Sequence, residues 1–368
     1  MVEAHPTRIP LPFALDRNPH APDAECRLLD WARRHELLDH PAAETRLIGA
    51  RLADLAAYTH PDAEPDRLCR YAQFLGWQFL THDRCAQPRE RAAPTWEHVI
   101  GQVEPIFRTG RAESAAGPMG RALADLLGRV YPAMGAEWRE RFAAECVETM
   151  RHAVPRTAGD SPAATREYAS GVQAYIRHRR LAGGQFPCLL LDEYMADGEL
   201  PVAIRDGAAY DDIRNAEADV VSWTCDYYSS RSNTETDAPA DLVGVLAYTE
   251  HLGREHAEAA VAARIQDRVA DFLTARRTLQ GGGSDVAWAD PEADLILRRC
   301  VSAMHNRMAG TEAWAWENVR SLDHHRPADG RRTGEGGGLR VPQYVEDLLD
   351  VRGRPRGWDG GAAGHRWP

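Results

Sequence analysis

The sequence lacks paired cysteines, long apolar runs, a signal peptide and an excess of basic residues. Its seven cysteines stand singly and form no Cys-x-x-Cys pair, so neither a zinc site nor a disulfide framework is expected. No uncharged apolar run approaches the ~20 residues that a membrane helix requires, and the amino terminus lacks a basic start and an apolar run. Acidic residues (55) outnumber basic ones (44), and the net charge of -11 argues against a nucleic-acid partner. We therefore expect a cytoplasmic protein without a membrane span.

Strand-like alternation is also missing, whereas helical periodicity runs through most of the chain. Hydrophobic residues make up 43% of the sequence, which is enough for a substantial core. The predicted fold class is all-α, with a Pro-rich arm over 1–25, one helical domain over 26–323 and a Gly/Arg/Pro-rich tail over 324–368. Helices are predicted over 23–38, 47–58, 68–81, 96–107, 121–131, 137–153, 165–181, 189–194, 216–230, 242–250, 257–279 and 291–310.

The stretch over 220–233 organises the rest of the chain. It contains no Gly or Pro, and Cys225, Ser229 and Asn233 recur at i, i+4 and i+8. Their side chains therefore lie along one helical face. A row of small polar groups beside Trp223 and Tyr227 suits the wall of an apolar pocket with a polar mouth.

This stretch resembles the metal-binding helix of bacterial class I terpene synthases, which carries Asn-Asp-x-x-Ser-x-x-x-Glu. Cys225 stands where the Asn is expected, Asp226 and Ser229 match, and Asn233 replaces the Glu. In the family the Asp usually points away from the metal, and Glu235 lies two positions out of register. The resemblance implies these five residues as metal-ligand candidates, although cysteine is a poor magnesium ligand because thiolate is soft.

The family's first acidic motif, Asp-Asp-x-x-Asp, is reduced here to His82-Asp83 after a helix that contains Trp77. The resemblance makes Asp83 a further metal ligand. The alternative is a solvated residue or a cap near a helix end. The pair Asp211-Asp212 precedes the central helix, and we assign it to the helix dipole rather than to metal binding.

The basic segment 175–184 resembles the family's diphosphate-sensing segment. Arg179 has the expected spacing from Cys225, and a guanidinium binds phosphate oxygens bidentately. Gly183 falls where the family breaks this helix and exposes a carbonyl group, while Ala182 replaces a polar linker. The alternative is a basic helix end that is capped by Gly183.

Near the carboxy terminus, Gly310, Trp314 and Arg320 fit the spacing of the family's Trp-rich turn and its closing Arg-Tyr pair, with Ser321 in place of the Tyr. The resemblance makes Arg320 a second diphosphate ligand. Substrate contacts are also expected from aromatic residues, although aromatics at helical spacing are more often plain core. The aromatic candidates are Phe74, Trp77, Trp223, Tyr227 and Trp314.

The resemblance implies a lyase that ionises and cyclises an acyclic prenyl diphosphate, farnesyl or geranylgeranyl diphosphate, with Mg²⁺ on the leaving group. Two alternatives stay open because the metal motifs are eroded. One is a catalytically impaired homologue that binds a prenyl or terpenoid ligand. The other is an enzyme of the same fold with altered, weakly metal-dependent chemistry. Members of the family commonly form homodimers, and the sequence leaves the oligomeric state open.

Overall fold

The computed structural model describes residues 7–38, 41–86, 96–114, 116–153, 171–230, 241–280 and 290–324. This part of the chain is helical and contains no strand, which confirms the all-α prediction. None of its helices has the length and apolar character needed to cross a membrane. The helices are α1 (Ala21–Arg34), α2 (Pro41–Ala50), α3 (Leu52–Thr59), α4 (Pro65–Ala86), α5 (Trp96–Thr109), α6 (Pro118–Val130), α7 (Ala136–His152), α8 (Val172–Ala182), α9 (Gln185–Met195), α10 (Val202–Arg205), α11 (Ala208–Ser229), α12 (Leu242–Thr249), α13 (Arg254–Gln280) and α14 (Pro291–His324).

Helix α11 is the central element of the bundle. It packs against α8, α9, α12, α13 and α14, and most of its residues from Ala216 onward are buried. Helix α11 begins earlier than the predicted 216–230, because Gly207 in extended conformation precedes it. Asp211 lies in its first turn, where a carboxylate complements the positive end of the helix dipole.

Apolar side chains form two clusters. The first joins α1, α3, α4, α5, α6 and α7 around Trp31, Trp138 and Phe142. The second surrounds α11 and α13 and includes Phe272 and Met304. The apolar core of the described residues is therefore divided between two clusters, and Trp314 packs against both.

Several predicted helices have different bounds in the structure. The single helix predicted over 47–58 is divided into α2 and α3 because Arg51 adopts a left-handed backbone conformation, with φ of 50°. The helix predicted over 291–310 continues to His324 as α14. Its start was predicted correctly, since Asp290 accepts a hydrogen bond from the amide of Glu292 at 3.0 Å.

The amino-terminal arm lies across the end of the central helix. The hydroxyl of Tyr227 donates to the carbonyl oxygen of Thr7 at 3.1 Å, and the amide of Ile9 donates to the hydroxyl of Tyr228 at 3.3 Å. The Tyr228 hydroxyl in turn donates to Glu312 on α14 at 2.9 Å. The arm thus joins α11 to α14 beside the polar end of the central helix.

Candidate active site

Arg179 and Asp226 form an ion pair between α8 and α11. The Nε of Arg179 donates to Oδ1 of Asp226 at 3.1 Å, while the hydroxyl of Tyr175 donates to Oδ2 at 2.6 Å. The amide of Leu242, at the start of α12, also donates to Oδ2 at 3.3 Å. Three donors on two oxygens are the surroundings of an ionised carboxylate. Asp226 is therefore the residue that orients Arg179.

Burial and the ion pair shift the pKa values of Asp226 and Arg179 in distinct ways. Burial raises the pKa of Asp226, against the opposing effects of Arg179 and the Tyr175 hydroxyl. Burial by itself would lower the pKa of Arg179, but the Asp226 carboxylate raises it above its ordinary value. The guanidinium is charged at neutral pH, as phosphate binding requires.

Arg179 differs from the neighbouring Arg180 in the hydrogen bonds of its Nη groups. Within the described part of the chain, neither Nη donates a hydrogen bond to the protein. Arg180, by contrast, binds Asp219 through Nε and Nη2 at 2.6 and 2.7 Å, and Arg268 donates to the same carboxylate at 2.8 Å. Arg180 is thus held in an ion pair by both Nε and Nη2, whereas Arg179 is held through Nε alone among the described residues.

The break between α8 and α9 lies next to this arginine. Gly183 caps α8, and Gly184 has a φ of 75°, a conformation that favours glycine. A Cβ atom on Gly183 would lie 2.7 Å from the hydroxyl oxygen of Ser222 and 2.8 Å from the carbonyl oxygen of Arg179. Glycine is therefore required at this close contact between the break and α11. The carbonyl oxygen of Gly183 accepts a hydrogen bond from the side chain of Gln185 at 3.2 Å.

The first two metal-ligand candidates on α11 do not fit a magnesium ion. Both carboxylate oxygens of Asp226 are occupied by protein donors. Burial raises the pKa of the Cys225 thiol to about 11, so it is neutral at physiological pH, and sulfur is a soft ligand. Ser229 is exposed, and its hydroxyl is 3.4 Å from the carbonyl oxygen of Asp226. Among the described candidates on α11, Ser229 is therefore the remaining hard oxygen ligand for a cation.

Four predicted site residues lie wholly or partly outside the described residues. Asn233 and Glu235 follow the end of α11 and belong to the undescribed segment 231–240. The backbones of Asp83 and Arg320 lie in α4 and α14, but their side chains are not described. The described residues contain no group of three or more His, Cys, Asp or Glu side chains that could hold a metal ion.

The five aromatic candidates are divided between the two apolar clusters. Phe74 and Trp77 lie in the first cluster, where the Trp77 indole donates to the carbonyl oxygen of Met119 at 2.9 Å. Trp223 and Tyr227 belong to the second cluster, and Trp314 contacts both. The Trp314 indole donates to the carbonyl oxygen of Ala50 at 2.8 Å, so this residue joins α14 to the end of α2.

A buried charged network between α14, α9 and α11 has no counterpart among the sequence predictions. Arg307 donates to both oxygens of Asp192, at 3.0 and 2.8 Å, and to Glu217 at 2.6 Å. Its Nη1 also donates to the hydroxyl of Tyr71 at 3.1 Å, and the His60 ring nitrogen lies 3.4 Å from Asp192. Burial raises the pKa of Glu217 to about 7. The network holds three helices together.

A cavity of about 480 Å³ opens between α7, α9 and α11, away from Arg179. Its walls include Arg141, Glu193, Arg214 and Glu145. Arg141 pairs with Glu193 at 3.0 Å and Arg214 with Glu145 at 3.0 Å. None of the predicted site residues lines this cavity, and these four charged side chains are paired with one another.

Comparison with known proteins identifies the family. The model of terpene synthase family 2, described as the C-terminal metal-binding part, matches residues 73–271. The chain belongs to the bacterial class I terpene synthases. This terpene synthase is 30% identical over 273 residues to the (-)-delta-cadinene synthase of Streptomyces clavuligerus, covering 72% of this chain and 80% of the relative. It is 25% identical over 353 residues to a (-)-beta-caryophyllene synthase of Saccharothrix espanaensis, covering 94% and 95%.

Solved structures show the same fold for this terpene synthase. Germacradien-4-ol synthase from Streptomyces citricolor superposes with a TM-score of 0.70 at 24% identity, covering 84% of this chain and 98% of that one. Linalool/nerolidol synthase from Streptomyces clavuligerus gives a TM-score of 0.69 at 23% identity, covering 84% and 100%. The fold prediction is therefore confirmed at the level of family and architecture.

Proposed function

We propose that this terpene synthase is a cyclase that ionises an acyclic prenyl diphosphate and releases diphosphate. Farnesyl diphosphate is the substrate that we favour over geranylgeranyl diphosphate. Support comes from the caryophyllene synthase relative, whose name describes it as farnesyl diphosphate cyclizing and which aligns with 94% of this chain. The names of the relatives include a cadinene and a germacradien-4-ol, so they leave the entry of water open.

The observation that carries the proposal is the orientation of Arg179. Its Nε is fixed on Asp226, while within the described residues its two Nη groups make no hydrogen bond to the protein. A preoriented guanidinium loses little freedom on binding and meets the charge that develops on a leaving diphosphate. A purely apolar ligand would not need such a group.

In this mechanism Arg179 binds diphosphate oxygens through its Nη groups, and Asp226 with Tyr175 holds its orientation. The aromatic and aliphatic side chains exclude water from the allylic cation that remains after ionisation. A divalent cation, when bound, would supply further positive charge to the leaving group. We propose Arg320 and Asp83 as additional contacts to the diphosphate or its cation, on the basis of the family resemblance.

A second candidate function is binding of a prenyl or terpenoid ligand without turnover. The neutral Cys225 thiol at a position that normally holds a hard oxygen ligand favours it. A third candidate is altered chemistry on an isoprenoid with little dependence on metal. Both candidates keep the fold and differ from the first in what happens to the diphosphate. The homodimer and the cytoplasmic location also stay as proposals.

One experiment separates the three functions. Purified protein is incubated with geranyl, farnesyl and geranylgeranyl diphosphates, with Mg²⁺ or with a chelator, and the release of diphosphate is measured. Magnesium-dependent release, fastest with farnesyl diphosphate, is the expected result. Release that a chelator does not affect would indicate the altered chemistry. Saturable binding without release would contradict a cyclase and indicate the ligand-binding function.

A further inference from the structure

Helix α8 carries Arg179, the proposed diphosphate ligand, yet apolar packing contributes little to its placement. Of the 11 residues of α8, only Tyr175 and Ile176 are buried. Burial of apolar surface is also non-directional, so it does not determine which way a charged side chain points. The direction of the Arg179 guanidinium therefore depends on the polar contacts between α8 and its neighbours.

Two ion pairs join α8 to the central helix. Arg179 donates to Asp226 at 3.1 Å, and the next residue, Arg180, donates to both oxygens of Asp219 at 2.6 and 2.7 Å. The two aspartates lie two turns apart on α11, which is about 10 Å along the helix axis. Adjacent residues of a helix point in different directions. The two pairs therefore hold α8 at two separate points, which restricts both its rotation and its sliding against α11.

Asp219 has a second cationic partner on a different helix. The residue is 1% exposed, and its Oδ2 also accepts a hydrogen bond from Nε of Arg268 on α13 at 2.8 Å. A buried carboxylate is strongly unfavourable without a cation. Because Arg268 supplies one, Asp219 keeps a charged partner even when Arg180 is replaced. The contact with Arg180 is therefore not needed to neutralise Asp219, and its specific effect is to attach α8.

We infer that Asp219 is a positioning residue for diphosphate binding, which acts through Arg180 by fixing α8 on α11. Among the described residues Arg179 is held by Asp226 through Nε alone, so the orientation of its guanidinium depends on where α8 lies. A group that is held in its binding orientation loses less conformational freedom when the ligand binds. This role rests on the proposed function, because it assumes that Arg179 is the group that binds diphosphate.

Direct contact between Arg180 and diphosphate is the alternative role for this arginine. Replacing Arg180 weakens the binding of diphosphate in either case, but the two roles differ in their dependence on Arg179. A positioning contact acts only through Arg179, so its loss has no further effect once Arg179 has been replaced. A direct ligand contributes to binding whether Arg179 is present or not. The non-additivity of the two substitutions therefore separates the roles.

Isothermal titration calorimetry of the full-length protein with inorganic diphosphate and Mg²⁺ tests this role. We expect Arg180→Met to weaken binding about tenfold, which is within the range of coupling between residues of one network. In the Arg179→Ala background the same substitution should change the affinity by less than about twofold. Arg180→Gln, which keeps a hydrogen-bond donor without the charge, should bind diphosphate with intermediate affinity.

Arg268→Met is the matched control. It also removes one of the two cations from Asp219, but Arg268 lies on α13 and not on the helix that carries Arg179. We expect this variant to bind diphosphate like the wild type. Urea denaturation of Arg180→Met and Arg268→Met measures the stability that each substitution costs, so that a loss of affinity is compared at known stability.

Several results would overturn the positioning role. Wild-type affinity in Arg180→Met would show that the contact with Asp219 does not affect the site. A loss that persists in the Arg179→Ala background would make Arg180 a direct ligand, and an equal loss in Arg268→Met would indicate general loosening of the fold. Unchanged affinity in Arg179→Ala itself would remove the group on which the role depends. Cyclase activity is decided separately, by the release of diphosphate from farnesyl diphosphate, so the two failures are distinguishable.

Discussion

Arg307 and Asp192 form a bidentate ion pair inside the bundle, with N–O distances of 3.0 and 2.8 Å, and neither side chain is more than 3% exposed. Glu217 shares the same guanidinium. The network joins α9, α11 and α14. Helix α11, which carries Glu217, also carries Asp226. The network therefore fixes α11 against α9 and α14.

Removing the cation of this network should destabilise the fold strongly. Arg307→Met leaves Asp192 and Glu217 buried without their positive partner, and we expect a loss of about 3–5 kcal/mol in the free energy of unfolding. Arg298→Met is the control, because Arg298 forms an ion pair with Asp294 on the surface of the same helix. Urea denaturation measures the free energy of unfolding of both variants. A loss below about 1 kcal/mol in Arg307→Met would contradict the structural role of the buried network.

The pH dependence of stability tests the state of Glu217. Its folded-state pKa is raised to about 7 from an ordinary value of 4.5, so the stabilising protonated form is fully present below pH 4.5. This contribution is lost as the pH rises through about 7. Glu217→Gln removes the titratable carboxyl group. The wild type should therefore lose more stability than the variant between about pH 5 and about pH 8.

Comparing the wild type with Glu217→Gln separates the effect of Glu217 on stability from the effect of His60. Burial lowers the pKa of His60. Protonation of this histidine at acidic pH therefore reduces the stability of both the wild type and the variant. Glu255→Gln, at an exposed position of α13, is the control. Parallel stability curves for wild type and Glu217→Gln would show that Glu217 does not titrate in this range.

The prediction of the fold from sequence succeeded where the signal is local. Helical periodicity gave most of the elements, and the cap at Asp290 gave the start of α14. The left-handed Arg51 was not predictable, because arginine seldom adopts this conformation and the neighbouring Gly49 lies inside α2. Helix α14 continues through Gly310, where a Cβ atom would clash with the Cβ atom of Tyr58 on α3, so the glycine allows these two helices to pack closely.

The candidate site was predictable only in part. The family spacing placed Arg179 and Asp226 in the site, but the sequence could not show that they pair with each other across α8 and α11. Tyr175 was visible in the same segment as a helical residue at i, i+4 from Arg179, which was a usable signal for a shared site. The close contact between Ser222 and Gly183 gave no sequence signal, because it is a property of tertiary packing.

The mismatch between Cys225 and magnesium can be tested by restoring the family's residue. Cys225→Asn replaces a neutral thiol by a hard amide oxygen. We expect the variant to bind Mn²⁺ about tenfold more tightly in the presence of inorganic diphosphate, as measured by electron paramagnetic resonance. Cys26→Asn on α1 is the control. Equal Mn²⁺ affinity in the wild type and Cys225→Asn would mean that position 225 does not face a cation.

The close contact at Gly183 gives a further prediction. Gly183→Ala places a methyl group 2.7 Å from the Ser222 oxygen and 2.8 Å from the Arg179 carbonyl oxygen, so α8 and α11 must separate. We expect a loss of about 1–3 kcal/mol in stability and slower diphosphate release. Gly101→Ala in α5 has open space around the new methyl group, and it should stabilise the protein by about 0.5–1 kcal/mol. Equal effects of the two substitutions would show that the contact at Gly183 is not tight.

The central claim is that Arg179 is the residue that binds diphosphate. Isothermal titration calorimetry with inorganic diphosphate tests it directly in the wild type, in Arg179→Ala and in Arg177→Ala, which changes an exposed arginine of the same helix. We predict that Arg179→Ala weakens binding by about 10- to 100-fold, equivalent to the loss of a charged bidentate contact, while Arg177→Ala stays close to the wild type. Unchanged affinity in Arg179→Ala would contradict the account.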